Sequence, residues 1–360
     1  MIPNSIAEVT PAWLSETLAR EVAELDVTQI GQGVGIMGDI YRVAVSYADG
    51  DTDAPASVVV KLPSSFEENR TQGVALGMFE AEVRFYNELA PEVPVGLPAV
   101  MHAEVAAGTA DFVIVMEDLS RLSMVEQTVG MTAEQAMAAV KVLAHVHAAW
   151  WGRVQTQALD WIPTQIGPRI EFVDQLMVQL LSPFIEGFAQ YLPQDGVAVY
   201  ERWAGNYLAV NKVLGARSPW TLAHQDFRVE NLLFGPAGSD EVVVLDWQGI
   251  GRGPGVYDLA YLLGGSMTPE LRRANETALL SAYHQQLVKL GIEGYSLDQL
   301  WDDYGLAHLQ GGLATSMVTG GGMDLSNERG VALIATMAAR HATAALDHNG
   351  LERLAAITQG

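Results

Sequence analysis

The sequence predicts an α+β fold in two lobes: a small N-terminal lobe made of an antiparallel sheet with one helix, and a large, mostly helical C-terminal lobe. Three observations predict it. Short β-branched runs gather before residue 117, whereas helical periodicity dominates after Thr132. The chain has 360 residues, 49% of them hydrophobic, enough to bury more than one core. An apolar strand, Phe112 to Met116, stops at two acids between these regions.

The first helix starts at Thr10-Pro11, with Thr10 as N-cap and proline at the first helical position. Val27 to Ile30 and Ile40 to Tyr47 read as strands on either side of a glycine-rich run that holds Gly33, Gly35 and Gly38. A strand–glycine loop–strand can fold over phosphates and offer backbone N–H donors. The rival reading of Gly33-x-Gly35-x-x-Gly38 is the turn of a nicotinamide-dependent oxidoreductase. That turn requires a helix directly afterwards, where this chain has strand-like alternation. Asp39 puts a negative charge beside the loop, with no role evident from the sequence. Ala48 to Ala56 reads as a loop.

Val58 to Val60 form a strand that ends at Lys61, one of four lysines in the chain. A buried ammonium is costly unless paired; the alternative is a lysine that snorkels to solvent. Thr71 to Leu89 has the period of one helix, with Val74, Met78, Phe85 and Leu89 on one face. Glu82 falls inside that apolar arc, about 40° from Met78, while Glu80 lies opposite. Glu82 is therefore the expected partner of Lys61. Phe112 to Met116 is an apolar strand that stops at Glu117 and Asp118.

In the second lobe, a helix from Thr132 to Trp151 carries His147 on its apolar face, as a core residue rather than a metal ligand. Leu232 to Phe234 and Val242 to Leu245 should pair as a hairpin around the Pro236–Asp240 turn. Gly249 to Gly255 reads as a loop leading into a helix over Tyr257 to Leu263. Asp258 is expected to cap that helix and also to tie down the loop at His224 to Asn231. Helices follow from Pro269, with stripes at Leu280, Tyr283, Leu287 and Leu290, and at Leu300, Trp301, Tyr304 and Leu306. Gly320 to Gly322 reads as a loop.

The chemistry concentrates in His224-x-Asp226-x4-Asn231 and in Asp246, which ends the second hairpin strand. Phosphoryl transfer from ATP needs a carboxylate that orients the attacking hydroxyl and accepts its proton. It also needs oxygen ligands for the magnesium that bridges the phosphates.

These segments, with Asp246-Trp-Gln248 and Tyr257-Asp258-Leu-Ala-Tyr261, resemble the aminoglycoside phosphotransferase and choline kinase superfamily, and within it the ecdysteroid-kinase-like branch. The resemblance implies a bilobal protein-kinase-like fold, with lobes at 1–117 and 118–360, and ATP- and magnesium-dependent phosphorylation of a small-molecule hydroxyl. It implies Asp226 as catalytic base and Asn231 and Asp246 as metal ligands. Gly33, Gly35, Gly38, Lys61 and Glu82 would serve the nucleotide phosphates, and Met116, Glu117 and Asp118 would form the hinge that meets adenine through main-chain groups. Trp301, Tyr304 and the Gly320 loop are candidates for lining the acceptor pocket. Gln225 stands where aminoglycoside kinases often have glycine, which speaks against an antibiotic acceptor. The acceptor classes left open are a sterol-like alcohol, suggested by the branch, and an aminoglycoside, amino sugar or choline-like cation, suggested by the acidic charge.

The composition excludes other classes. There are no cysteines, so disulfides and thiolate chemistry are absent. A net charge of −23 argues against nucleic acid and anionic membranes. No apolar run is long enough to span a bilayer and no signal peptide is evident, so a cytoplasmic protein is expected. The sequence does not fix the oligomeric state. The competing reading from another class is a catalytically inactive nucleotide-binding scaffold, although every catalytic position is filled.

Overall fold

The computed structural model describes residues 2–31, 38–48 and 53–358. Gly33 and Gly35 lie outside the described residues, as does the middle of the Ala48–Ala56 segment. The chain forms two compact units. The first comprises Met1–Val93, Leu97–Leu122 and Val244–Gly249; the second comprises Pro94–Gly96, Ser123–Val243 and Ile250–Gly360.

The first unit opens with α1 (Pro11–Leu18), which Thr10 caps as expected: its hydroxyl accepts from the Trp13 amide at 3.2 Å. Five strands follow, β1 (Val22–Ile30), β2 (Gly38–Tyr47), β3 (Ser57–Pro63), β4 (Val100–Val105) and β5 (Phe112–Glu117), in the antiparallel order β1-β2-β3-β5-β4. Alternation sets the buried face. Val43, Val58, Val60, Val113 and Val115 pack with Leu14 of α1 into one core. Because β5 is an inner strand, Phe112 to Val115 are buried on both faces. The Asp39 carboxylate accepts from the Ser65 amide at 3.0 Å and so pins the chain leaving β3.

The single helix expected over Thr71–Leu89 is not formed. It divides into α2 (Glu67–Ala75) and α3 (Met78–Arg84), followed by a wider turn at Phe85–Leu89. Gly77 separates them with φ +66°, a left-handed conformation that ends α2 at little steric cost. Val74 consequently leaves the apolar stripe for solvent, and Gly73 takes the buried place against the Phe79 ring. Glu82, Phe85 and Leu89 remain inside.

The second unit contains β6 (Ser123–Met124), α4 (Ala133–Trp150), α5 (Pro168–Phe188), α6 (Gly196–Trp203), α7 (Tyr207–Arg217), β7 (Trp220–Ala223), β8 (Leu232–Phe234), β9 (Val242–Val244), β10 (Gly251–Pro254) and α8 (Val256–Ser266). It closes with α9 (Pro269–Lys289), α10 (Leu297–Ala307), α11 (Gly311–Gly322), α12 (Glu328–Asp347) and α13 (Gly350–Thr358). A reciprocal capping box of Thr132 and Gln135 starts α4. The expected hairpin is present, with β8 and β9 neighbours in one sheet. At the centre lies α8, every residue of which is buried. Helices α4 and α9, α5 and α11, and α8 and α12 pack as pairs.

Two glycine-rich segments read as loops are regular structure. Gly251–Pro254 pairs antiparallel with β7, anchored by Arg252, whose guanidinium donates to the Ile162 carbonyl and to Asp160. Gly320 to Gly322 end α11. There the absence of side chains allows close helix approach: a Cβ at Gly321 would lie 2.8 Å from the Leu180 carbonyl oxygen. Gly320–Gly322 is therefore the helical end of α11 rather than a loop, with Gly320 and Gly321 packed and Gly322 open to solvent. Of the aromatic stripe on α10, Tyr304 is buried and donates to Glu276 at 2.7 Å. Among the described residues, no helix is long and apolar enough to cross a membrane.

Candidate active site

In the first unit, β3 delivers Lys61 into the interior, where it is 8% exposed. Its Nζ lies 2.7 Å from Glu82 Oε2 and 3.0 Å from Asp246 Oδ1. Glu82 is the glutamate that the helical wheel points inward, and it is 2% exposed. Burial would lower the Lys61 pKa, but the Asp246 and Glu82 carboxylates outweigh it and hold the ammonium protonated. Burial pushes the Glu82 carboxyl up against the pull of Lys61, and the nearby Asp246 adds to that push. Two carboxylates thus share one ammonium. The excess negative charge, with Asp246 more open to solvent than its partners, suits a hard cation.

Asp246 adopts φ +64°, unusual for a residue with a Cβ. The following side chains hold it there. The Trp247 ring stacks on Phe85 with centroids 3.9 Å apart and planes within 7°, and Gln248 Nε2 donates to Asp246 Oδ2 at 3.2 Å. The wide turn after α3 is what presents Phe85 to Trp247.

Met116 and Glu117 end β5 in register with Val59 and Val58. The Glu117 amide donates to the Ala99 carbonyl, and its carboxylate accepts from the Ala99 amide at 2.8 Å. Asp118, whose side chain the sequence left without a task, accepts from Ser57 Oγ at 2.7 Å and pairs with Arg42 at 2.9 Å. Burial opposes its ionisation, but Ser57, the Ser120 amide and Arg42 together bring its pKa below the usual carboxylate range.

In the second unit, the loop between β7 and β8 carries Asp226. Its carboxylate accepts from Tyr261 Oη at 2.9 Å and from Asn231 Nδ2 at 2.9 Å, and Arg228 Nε lies 3.4 Å away. Asn231 Nδ2 also donates to the Asp226 carbonyl at 2.8 Å. Both contacts use the amide nitrogen, so the Asn231 oxygen is not committed to Asp226. Arg228 pairs with Glu230, which in turn accepts from the Gln127 amide at 3.0 Å.

The loop is fixed from beneath. Asp258 is fully buried, and its two oxygens accept from the amides of His224, at 2.6 Å, and Gln225, at 2.8 Å. It does not cap α8: Gly255 precedes the helix, and Asp258 lies inside its first turn. Its role in tying down the loop is the one formed. His147 reaches the same carboxylate at 3.2 Å and Tyr283 at 2.7 Å, as a hydrogen-bonded core histidine. Gln225 takes φ +66°, so the chain turns sharply immediately before Asp226.

Sequence reasoning passed over Tyr261, Arg228 and Glu230 as neighbours of Asp226. Tyr261 lies three residues after Asp258 on one helix, hence on the same face, and that spacing was the available signal. Nothing local marks the Arg228–Glu230 pair.

The ecdysteroid kinase-like family model matches residues 32–292. No curated protein matches the chain. Among solved structures, a protein from Ralstonia eutropha JMP134 assigned as an aminoglycoside phosphotransferase is 16% identical with TM-score 0.57, over 93% of this chain and 98% of that one. Choline kinase from Cryptosporidium parvum Iowa II is 10% identical with TM-score 0.53, covering 92% and 91%. The amicoumacin kinase hAmiN, in complex with AMP-PNP, Ca²⁺ and Ami, is 16% identical with TM-score 0.52, covering 93% and 94%. At these identities the structural likeness shows the fold, which is protein-kinase-like. The family match spans more than half of the sequence, so the chain belongs to the ecdysteroid kinase-like family and is a small-molecule kinase.

Proposed function

We propose that the protein transfers the γ-phosphoryl group of ATP to a hydroxyl of a small molecule in a magnesium-dependent reaction. The buried Lys61–Glu82–Asp246 cluster carries this reading: one ammonium held between two carboxylates, with negative charge to spare. Glu82 fixes Lys61, which steadies the nucleotide phosphates. Asp246 and the amide oxygen of Asn231 are hard ligands for the metal, which would neutralise charge developing on the phosphates. Gly33, Gly35 and Gly38 offer main-chain N–H groups to the phosphates, and the Met116–Asp118 main chain receives adenine. The structural relative that carries AMP-PNP and Ca²⁺ supports a nucleotide with a divalent ion.

Asp226 orients the acceptor hydroxyl and takes its proton as the oxygen attacks phosphorus. Tyr261 and Asn231 fix the rotamer of Asp226, and Asp258 fixes the backbone beneath it. Alignment and charge neutralisation supply most of the acceleration, because a loose transition state asks for little covalent chemistry.

Thermal-shift titration tests the nucleotide half. ATP should stabilise the protein only with magnesium, and Asp246→Ala should abolish the effect. Asp226→Asn should keep ATP binding and lose transfer by about a hundredfold or more. Unchanged turnover in Asp226→Asn removes the assigned base, whereas ATP binding without any turnover would favour a scaffold.

A further inference from the structure

Within the second unit, two glutamine side chains lie over one face of β10, and one of them has no partner among the described residues. A Cβ at Gly251 would fall 1.9 Å from Gln225 Nε2, and one at Gly253 would fall 2.5 Å from the Gln165 carboxamide carbon. Alternate residues of a strand share a face, so Gln225 and Gln165 lie side by side on β10, with glycines making room for both. Gln225 Oε1 accepts a hydrogen bond from Arg169 Nη2, at the start of α5. Gln165 is fully buried, and among the described residues neither its amide nitrogen nor its oxygen has a partner.

Arg169 is half-buried and differs from the other arginines packed into this unit. Arg228, Arg252 and Arg272 each pair with a carboxylate, and Arg340 donates to main-chain carbonyls of Gln127, Thr128 and Gly265. Among the described residues, Arg169 has no carboxylate partner and donates only to the Gln225 carbonyl. Burial disfavours its charge, and only the phenols of Tyr257 and Tyr207 oppose that. A fully buried carboxamide without partners is costly unless a further group completes it, and a half-buried guanidinium without a carboxylate is open to an anion from solvent. That group would lie next to the catalytic loop, because Gln225 directly precedes Asp226.

We propose that Arg169, steadied by Gln225, recognises a carboxylate on the acceptor, with Gln165 completing the contact, so that the physiological acceptor is a hydroxylated carboxylic acid. This rests on the phosphotransferase reading of Asp226. The acceptor hydroxyl oxygen bonds to the γ-phosphorus, the bond to the ADP oxygen breaks, and the hydroxyl proton passes to Asp226. The carboxylate is held and unchanged. The net charge of −23 describes the whole surface, whereas the forked donors of one guanidinium fix the sign locally.

The test pairs hydroxy acids with their neutral methyl esters, using hydroxymethylbenzoate and cholate as probes on the full chain. Wild type should prefer each accepted acid over its ester by about tenfold to a hundredfold in kcat/KM, the scale of one charge-assisted contact. Arg169→Gln should erase that preference through KM for the acid, with KM for ATP unchanged, and Arg169→Lys should restore part of it. Turnover without acid preference, or a preference that survives Arg169→Gln, overturns the proposal and leaves the kinase reading intact. A nucleotide-free thermal shift decides the anion site separately. Stabilisation by acid but not ester, lost in Arg169→Gln, supports it even where no phosphoryl transfer occurs; no acid-specific stabilisation removes it.

Discussion

Replacing Lys61 by Met deletes the cation that pairs with both Glu82 and Asp246 while keeping much of the side-chain length. Glu82, 2% exposed, is then a buried carboxylate without its partner. Breaking a buried pair in this way costs about 3–5 kcal/mol. In the wild type, Lys61 is held above its ordinary pKa of 10.5, so its contribution is complete below that value and fades only in strongly alkaline solution. In the variant, Glu82 should rise further from its ordinary 4.5. A carboxyl whose folded pKa is raised is stabilising below the unfolded value, and the advantage is lost as pH climbs towards the folded one. Lys61→Met should therefore be strongly destabilised near pH 7.5 and much less so near pH 5. Urea denaturation at both pH values measures this, and adding Glu82→Gln should recover most of the loss at the higher pH. A penalty independent of pH, or no rescue by Glu82→Gln, would refute the account of a charge left unpaired.

Other outcomes follow from the same structure. Burial opposes ionisation of Glu276, but His348, Arg272 and Tyr304 hold its pKa at about 2; Glu276→Gln should cost about 3 kcal/mol at neutral pH, a difference that shrinks as pH falls from 4.5 towards 2 in chemical denaturation. His341 is buried and its pKa lowered to about 3, so the folded state refuses a proton that the unfolded chain accepts below 6.5. His341→Gln should reduce the loss of stability on acidification by about 1.4 kcal/mol per pH unit across that window, read from urea curves between pH 6.5 and 5. Gly321→Ala should destabilise by about 1–3 kcal/mol in thermal unfolding, because its methyl would meet the Leu180 backbone. Asp258→Asn should lower turnover while sparing ATP binding in titration, because it weakens the support for the His224 and Gln225 amides.

Much of this was legible in the sequence for local reasons. The Thr10-Pro11 helix start, the β8–β9 hairpin and the inward Glu82 all follow from spacing and turn chemistry that neighbouring residues determine. The failures share a cause. Gly77, the Gly251–Pro254 strand and Gly320–Gly322 are glycines whose meaning depends on what packs against them, and a sequence does not show whether an absent side chain makes a turn or a close contact. Asp258 looked like a helix cap because its local position permits one, yet its partners lie more than thirty residues upstream. Arg169 was invisible for a related reason: what distinguishes it is a missing partner, which exists only once the chain is folded.

The segment Val244–Gly249 completes the first unit although more than a hundred residues of the second are synthesised before it. During translation the emerging sheet must wait for Asp246 and Trp247, while Lys61 has Glu82 but not its second carboxylate and Phe85 lacks the ring that stacks on it. A nascent chain stalled at Leu122 should therefore be a poor folder, open to proteolysis and in need of chaperone cover until the later segment arrives.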